Sequence, residues 1–129
     1  MYQWVEHIGE VELAITAESE RDVFADALAG LADLLGIEGN GAERRAIEVS
    51  APDRPALLAG WLEELVFLAE VEGFEPIELR DLELAGDTVK AAVEGRHGHP
   101  RPIVKAVTYH RLAFESAGSG YRATVVLDV

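Results

Sequence analysis

The sequence predicts an α+β domain of two layers, in which two long helices pack on one face of a mainly antiparallel or mixed sheet. Two stretches place apolar residues at helical spacing, and most of the remaining chain alternates apolar and polar residues as strands do. The predicted order is strands, helix, strand, helix and then four strands. Because no repeat or linker interrupts this order, residues 1–129 are predicted to form a single domain.

The first helix is predicted to begin at Ser19, which forms a capping-box-like start with Asp22. Gly36 is a natural stop for this helix. The apolar stripe between these two points consists of Phe24, Leu28, Leu31 and Leu35.

The second helix is predicted to begin at Asp53, a suitable N-cap, with Pro55 in the first turn and Gly73 at the end. Its apolar residues include Leu58, Trp61, Leu62, Leu65 and Leu68. Because this stripe is broad, we expect the helix to lie against a sheet.

The strands follow from period-two alternation. They are predicted over residues 11–17, around residues 45–49, on both sides of a turn at Gly86, and over residues 103–114 and 121–129. A change of parity between Leu79 and Leu82 predicts a bulge.

The charge of the chain limits its partners. Twenty-four acidic residues against eleven basic ones give a net charge of −13. Binding to a phosphate backbone depends on clustered Lys and Arg, so we expect no strong direct binding to nucleic acid. An acidic protein can still dock on a basic protein partner.

Several classes of protein are disfavoured. The absence of cysteine excludes disulfides and thiol catalysis. The start of the chain lacks a signal-peptide pattern and no stretch is long enough to span a bilayer, so we expect a cytoplasmic protein. The sequence has no Gly-rich phosphate loop, no GxSxG and no HExxH motif, and we therefore predict that it is not an enzyme.

Two places could carry a site. Glu6, His7 and Glu10 surround a turn at Gly9, and Asp128 lies on the polar face of the last strand. Carboxylates suit Ca, Mg or Mn, and imidazole favours Zn or Ni. A solvated acidic turn and an exposed terminal acid explain the same residues, and spacing alone favours that simpler interpretation.

Lys105 is one of two lysines in the chain and stands among apolar residues of a predicted strand. Strict alternation would place it on one face with Val107, Tyr109 and Arg111, and would place Thr108 on the other. A lysine there either protects an edge strand from aggregation or belongs to a site.

Four blocks together resemble the archease family: "EHIGEVEL" at residues 6–13, "WLEELVFLAEVEGFEP" at 61–76, "VKAVTYH" at 104–110 and "VVLDV" at 125–129. Their order and spacing cover nearly the whole chain, and "VKAVTY" is the most specific of them. In the first block the family typically has Asp-His-Thr-Ala-Asp, whereas both acids here are Glu.

The resemblance implies a small protein cofactor of the RNA-splicing ligase that promotes guanylylation of the ligase and its turnover. It also implies a divalent-metal site, with Ca first and Mg or Mn as alternatives, held by Glu6, Glu10 and Asp128. His7, Glu10, Lys105 and Asp128 are implied as residues that act on the ligase. Two other roles stay open: a chaperone or specificity modulator of an RNA-modifying methyltransferase, and a metal-dependent hydrolase using the same three acids.

Overall fold

The computed structural model describes all residues, 1–129, and its elements follow the predicted order. The elements are β1 (Tyr2–His7), β2 (Glu10–Ala17), α1 (Glu20–Leu34), β3 (Glu43–Ser50), α2 (Arg54–Glu70), β4 (Phe74–Ala85), β5 (Thr88–His97), β6 (Ala106–Ala117) and β7 (Gly120–Asp128). No helix is both long and apolar enough to cross a membrane.

The strands form two antiparallel sheets, one of four strands in the order β1-β2-β7-β6 and one of three in the order β3-β5-β4. Both helices contact strands of both sheets. The α+β class with two helices packed on antiparallel sheet is confirmed. The single sheet that we expected is wrong, because alternation shows which residues share a face but not which strands pair.

Both helix starts lie where the capping residues predict them. The hydroxyl of Ser19 accepts a hydrogen bond from the Asp22 N–H at 3.1 Å, and the carboxylate of Asp53 accepts one from the Ala56 N–H at 2.8 Å. These bonds satisfy N–H groups that the first turn of a helix leaves without a partner.

The core lies between the helices and the sheets and includes a contact between α1 and α2. Trp61 is fully buried, and its ring meets that of Phe24 edge-on, with 5.9 Å between centroids. Its indole N–H donates to the backbone carbonyl of Phe24 at 3.0 Å. The polar tip of this large side chain is therefore satisfied inside the core.

The predicted bulge in β4 is present, since the register with β5 shifts between Leu79 and Asp81, and a second shift lies between Pro76 and Glu78. The shift between Leu79 and Asp81 leaves Arg80 without a partner on β5. Its guanidinium bonds both carboxylate oxygens of Glu94 on β5, at 2.6 and 3.0 Å. The bulge is thus fixed by a two-pronged ion pair.

β6 departs from its predicted form in two ways. The strand begins at Ala106, so Lys105 lies just before it, and its pairing with β7 jumps from Thr108 to Ala113. On β7 the corresponding partners, Val126 and Thr124, are separated by one residue. The four residues 109–112 of β6 therefore lie opposite a single residue of β7. The strict alternation expected through Lys105, Tyr109 and Arg111 is therefore wrong, because a bulge resets the parity of the residues beyond it.

Candidate functional site

The turn between β1 and β2 meets the C-terminal end of β7 at one end of the four-stranded sheet. His7 pairs with Glu10, Glu10 with Asp128, and Asp128 with Ala106. Directly opposed residues on neighbouring strands point to the same face of a sheet. The side chains of His7, Glu10 and Asp128 therefore form a row across three strands.

Glu6 does not belong to this row. It pairs with Val11, which shares the core-facing side of β2 with Leu13 and Ile15. Its carboxylate consequently leaves the sheet on the side opposite to Glu10 and Asp128. Nowhere in the chain do three or more Asp, Glu, His or Cys residues form a group that could hold a metal ion.

Arg111 supplies the positive charge beside the row. Its Nη2 lies 3.1 Å from Oε1 of Glu10, and its Nε lies 3.0 Å from Oε1 of Glu12. Both carboxylates belong to β2, whereas Arg111 belongs to β6, and β7 lies between these two strands. The arginine side chain therefore crosses over β7 to reach its partners.

The residue beneath this crossing is Val126, which pairs with Glu12 on one side and Thr108 on the other. It is fully buried although it shares the face of Glu12 rather than the core-facing one. Arginine stems commonly cover apolar surface in this way while the guanidinium bonds carboxylates.

Arg111 is also the only non-glycine residue of the chain with a positive φ, at 57°. It lies within the four residues of β6 that β7 does not match. For a residue with a Cβ this left-handed conformation is sterically unfavourable, and in folded proteins it persists where surrounding contacts impose it. Tyr109, in the same segment, lies near Glu63 of α2; partial burial, followed by the charge and hydrogen bonding of Glu63, raises the pKa of Tyr109.

Lys105 is joined to the row through the backbone. Its N–H donates to the carbonyl of Asp128 at 2.7 Å, and the N–H of Val129 donates to the carbonyl of Gly9 at 3.1 Å. The ammonium group of Lys105 makes no ion pair, and the side chain is exposed. It lines a surface groove of about 370 Å³ against Phe67, Glu70 and Val71. Lys105 therefore contacts Asp128 through the backbone and forms no ion pair with Glu10 or Asp128.

The roles of Glu12 and Arg111 were not predicted from the sequence. The alternation of β2 does place Glu12 on the face of Glu10, so its position could have been predicted. Arg111 could not have been, because its contact depends on an irregularity that the apolar pattern of β6 does not reveal.

Comparison with known proteins matches nearly the whole chain to one family. The sequence profile of the Archease protein family matches residues 2–129. The chain belongs to the archease family. "Protein archease" of Methanosarcina mazei is 30% identical, with 99% of this chain and 95% of that protein covered. "Protein archease" of Methanopyrus kandleri is 29% identical over 99% of both.

Two solved structures share the archease fold of this chain. The solution structure of Methanobacterium thermoautotrophicum protein 1598 superposes with a TM-score of 0.75 at 20% identity, covering 99% of this chain and 98% of the other. The crystal structure of an archease, described as a possible chaperone, from Thermotoga maritima gives a TM-score of 0.71 at 20% identity, covering 100% and 98%.

Proposed function

We propose that this archease-family protein is a non-enzymatic cofactor that activates an RNA-splicing ligase by protein–protein contact, promoting its guanylylation and turnover in tRNA splicing or RNA repair. The observation that carries the proposal is the row of His7, Glu10 and Asp128 with Lys105 bonded to its end. These four residues come from both ends of the chain, and they are the ones that the archease blocks single out.

Charge supports a protein partner. At a net charge of −13, long-range attraction favours a basic surface, such as the RNA-binding side of a ligase, over RNA itself. His7 and Lys105 are exposed, and Asp128 is partly so, which leaves them accessible to a partner without rearrangement of the sheet. A cytoplasmic location is part of this proposal.

The hydrolase alternative receives no support from the geometry. A metal-dependent hydrolase would need Glu6, Glu10 and Asp128 to converge on one ion and a base beside it. Glu6 instead points to the other face of the sheet, and Arg111 holds one oxygen of Glu10.

A chaperone-type role is the second candidate, since the Thermotoga maritima protein is described as a possible chaperone. For this chain it would mean a modulator of an RNA-modifying methyltransferase. The groove beside Lys105, with exposed Phe67 and Val71, offers apolar surface for such a role.

The divalent cation, Ca first and Mg or Mn as alternatives, stays a prediction. Glu10 and Asp128 are opposed across β2 and β7 and could share an ion, whereas Glu6 could not join them. Any such ion would compete with Arg111 for Glu10.

The test is a guanylylation assay on the ligase encoded in the same genome, with GTP and with or without this protein. We expect the rate of covalent guanylylation to rise when the protein is added. The methyltransferase candidate predicts an unchanged guanylylation rate and an altered pattern of RNA methylation.

A further inference from the structure

We propose that the guanidinium of Arg111 takes the place of a divalent metal ion in this chain. It binds the carboxylates of Glu10 and Glu12, beside Asp128, where a metal ion would otherwise bind. The inference concerns this chain alone and does not depend on the ligase.

The first step is the concentration of like charge. Glu10 and Glu12 are two positions apart on β2 and share a face, and Asp128 stands directly opposite Glu10. Like charges at such positions in a sheet repel one another. The side chains of Glu10 and Glu12 are also only 27% and 21% exposed, so water screens them incompletely. This arrangement favours a bound cation.

The second step is the fit of the guanidinium. Its Nη2 and Nε donate to separate carboxylates at 3.1 and 3.0 Å. A metal ion at this place would likewise bind one oxygen of each carboxylate. Hydrogen bonds from an ionised donor to an ionised acceptor are the stronger kind. The same two glutamates raise the pKa of Arg111 through hydrogen bonding and charge, which favours its cationic form.

The third step is the backbone that delivers the arginine. Arg111 has a φ of 57° within the irregular segment of β6, a conformation that favours glycine or asparagine. An ordinary surface arginine such as Arg122, paired with Glu115 at 3.4 Å, has no such conformation. The unfavourable φ at Arg111 is held by its contacts across β7.

The fourth step is the exchange of one cation for another. Removing the guanidinium would free Oε1 of both glutamates, while the register of β2 with β7 keeps Asp128 opposite Glu10. Carboxylate oxygens are the ligands that Ca²⁺, Mg²⁺ and Mn²⁺ prefer. A variant without Arg111 should therefore gain the metal site.

The test is calorimetric titration of chelator-treated protein with CaCl₂, MnCl₂ or MgCl₂ in separate runs. Arg111→Gly is the main variant because glycine accepts the positive φ without strain. Arg111→Asn, which also tolerates this φ, is a second variant in case the first fails to fold. Arg122→Ala is the matched control, since it removes an arginine from the same sheet but leaves Glu10 and Glu12 in place.

We expect wild type and Arg122→Ala to bind the three ions weakly at most, because Arg111 competes with an ion for Glu10. Arg111→Gly or Arg111→Asn should gain a site for at least one ion, roughly tenfold tighter or better than any residual binding of wild type. The gained site should disappear when Glu10→Gln is added, and only the variant should melt at a higher temperature with metal. Equal binding by wild type, or no binding by either Arg111 variant, would overturn the proposal.

Discussion

Lys105 and Arg111 are six positions apart and are held in opposite ways. Arg111 is fixed by two carboxylates, whereas the ammonium of Lys105 makes no ion pair and lies at the rim of a groove. A lysine is a compact point charge, and an arginine presents a planar fork. Lys105 is therefore the cation that remains available to a partner's phosphate or carboxylate.

The residue-scale prediction concerns that availability. Lys105→Ala and Lys105→Arg should both keep the melting temperature of wild type, because exposed charges contribute little to stability. Both should lose most of the stimulation of ligase guanylylation, since the fork of arginine needs different partners. Lys90→Ala is the control: Lys90 is the other lysine, is 64% exposed and lies 3.9 Å from Glu48. Full stimulation by Lys105→Arg would show that charge alone suffices, and full stimulation by Lys105→Ala would remove Lys105 from the site.

At this scale the sequence predicts part of the site. Glu10 and Asp128 were chosen from the sequence, and the register of β2 with β7 places them side by side. Glu6 was chosen on the same grounds but lies on the opposite face, because two residues four positions apart across a turn need not share a face. The contacts of Arg111 depend on the bulge and could not be predicted.

Among the elements, α2 offers a clean test of local structure. The Asp53 carboxylate caps its first turn by accepting from the Ala56 N–H. Asp53→Ala should lower the free energy of unfolding by about 1 kcal/mol, while Asp53→Asn, also a good cap, should change it little. Denaturant unfolding with an unchanged m-value checks this. Equal losses in the two variants would mean that the negative charge, rather than the cap, stabilises the helix.

The pair that fixes the β4 bulge carries a pH dependence. A hydrogen bond from Arg80, and its charge, hold the pKa of Glu94 below its usual range in the folded protein. A depressed carboxyl pKa contributes stability above the unfolded value that disappears as pH falls through the folded one. Glu94→Gln should therefore lower the melting temperature at neutral pH and flatten its fall on acidification below about pH 5. Glu48→Gln, in a longer contact with Lys90, is the control. Parallel curves for wild type and Glu94→Gln would contradict the linkage.

Element boundaries could be predicted where the residues that mark them lie close together in the sequence. Ser19 and Asp53 mark helix starts through bonds to residues three positions away, so the sequence locates them directly. The parity change near Arg80 likewise reveals a bulge within one strand. In β6 the four unmatched residues, 109–112, include neither glycine nor proline, so no local signal reveals the irregularity.

For the whole molecule, the division into two sheets could not be predicted, because it depends on pairings between distant parts of the chain. β2 pairs with β7 more than a hundred residues later, and this pairing places the turn after β1 beside the C-terminal end of β7. The prediction of the α+β class required only the count and order of elements, and these are local.

The net charge of −13 gives a prediction for the molecule as a whole. An excess of one sign destabilises the compact state by repulsion, and salt shortens the range of that repulsion from about 30 Å at 0.01 M to about 10 Å at 0.1 M. Raising NaCl over this range at pH 7 should raise the melting temperature by a few degrees. KCl should act equally. A fall in melting temperature would show that the surface ion pairs outweigh the net repulsion.

The central claim, activation of a ligase by contact, is tested most directly by counting ligation events per ligase molecule. Ligase would be held limiting over RNA ends bearing 2′,3′-cyclic phosphate and 5′-hydroxyl, with GTP and a substoichiometric amount of this protein. A cofactor acting by contact is not consumed, so we predict repeated turnovers with wild type and with Lys90→Ala, and few with Lys105→Ala. Product that is the same with and without the protein, under conditions where the ligase itself is competent, would contradict the account.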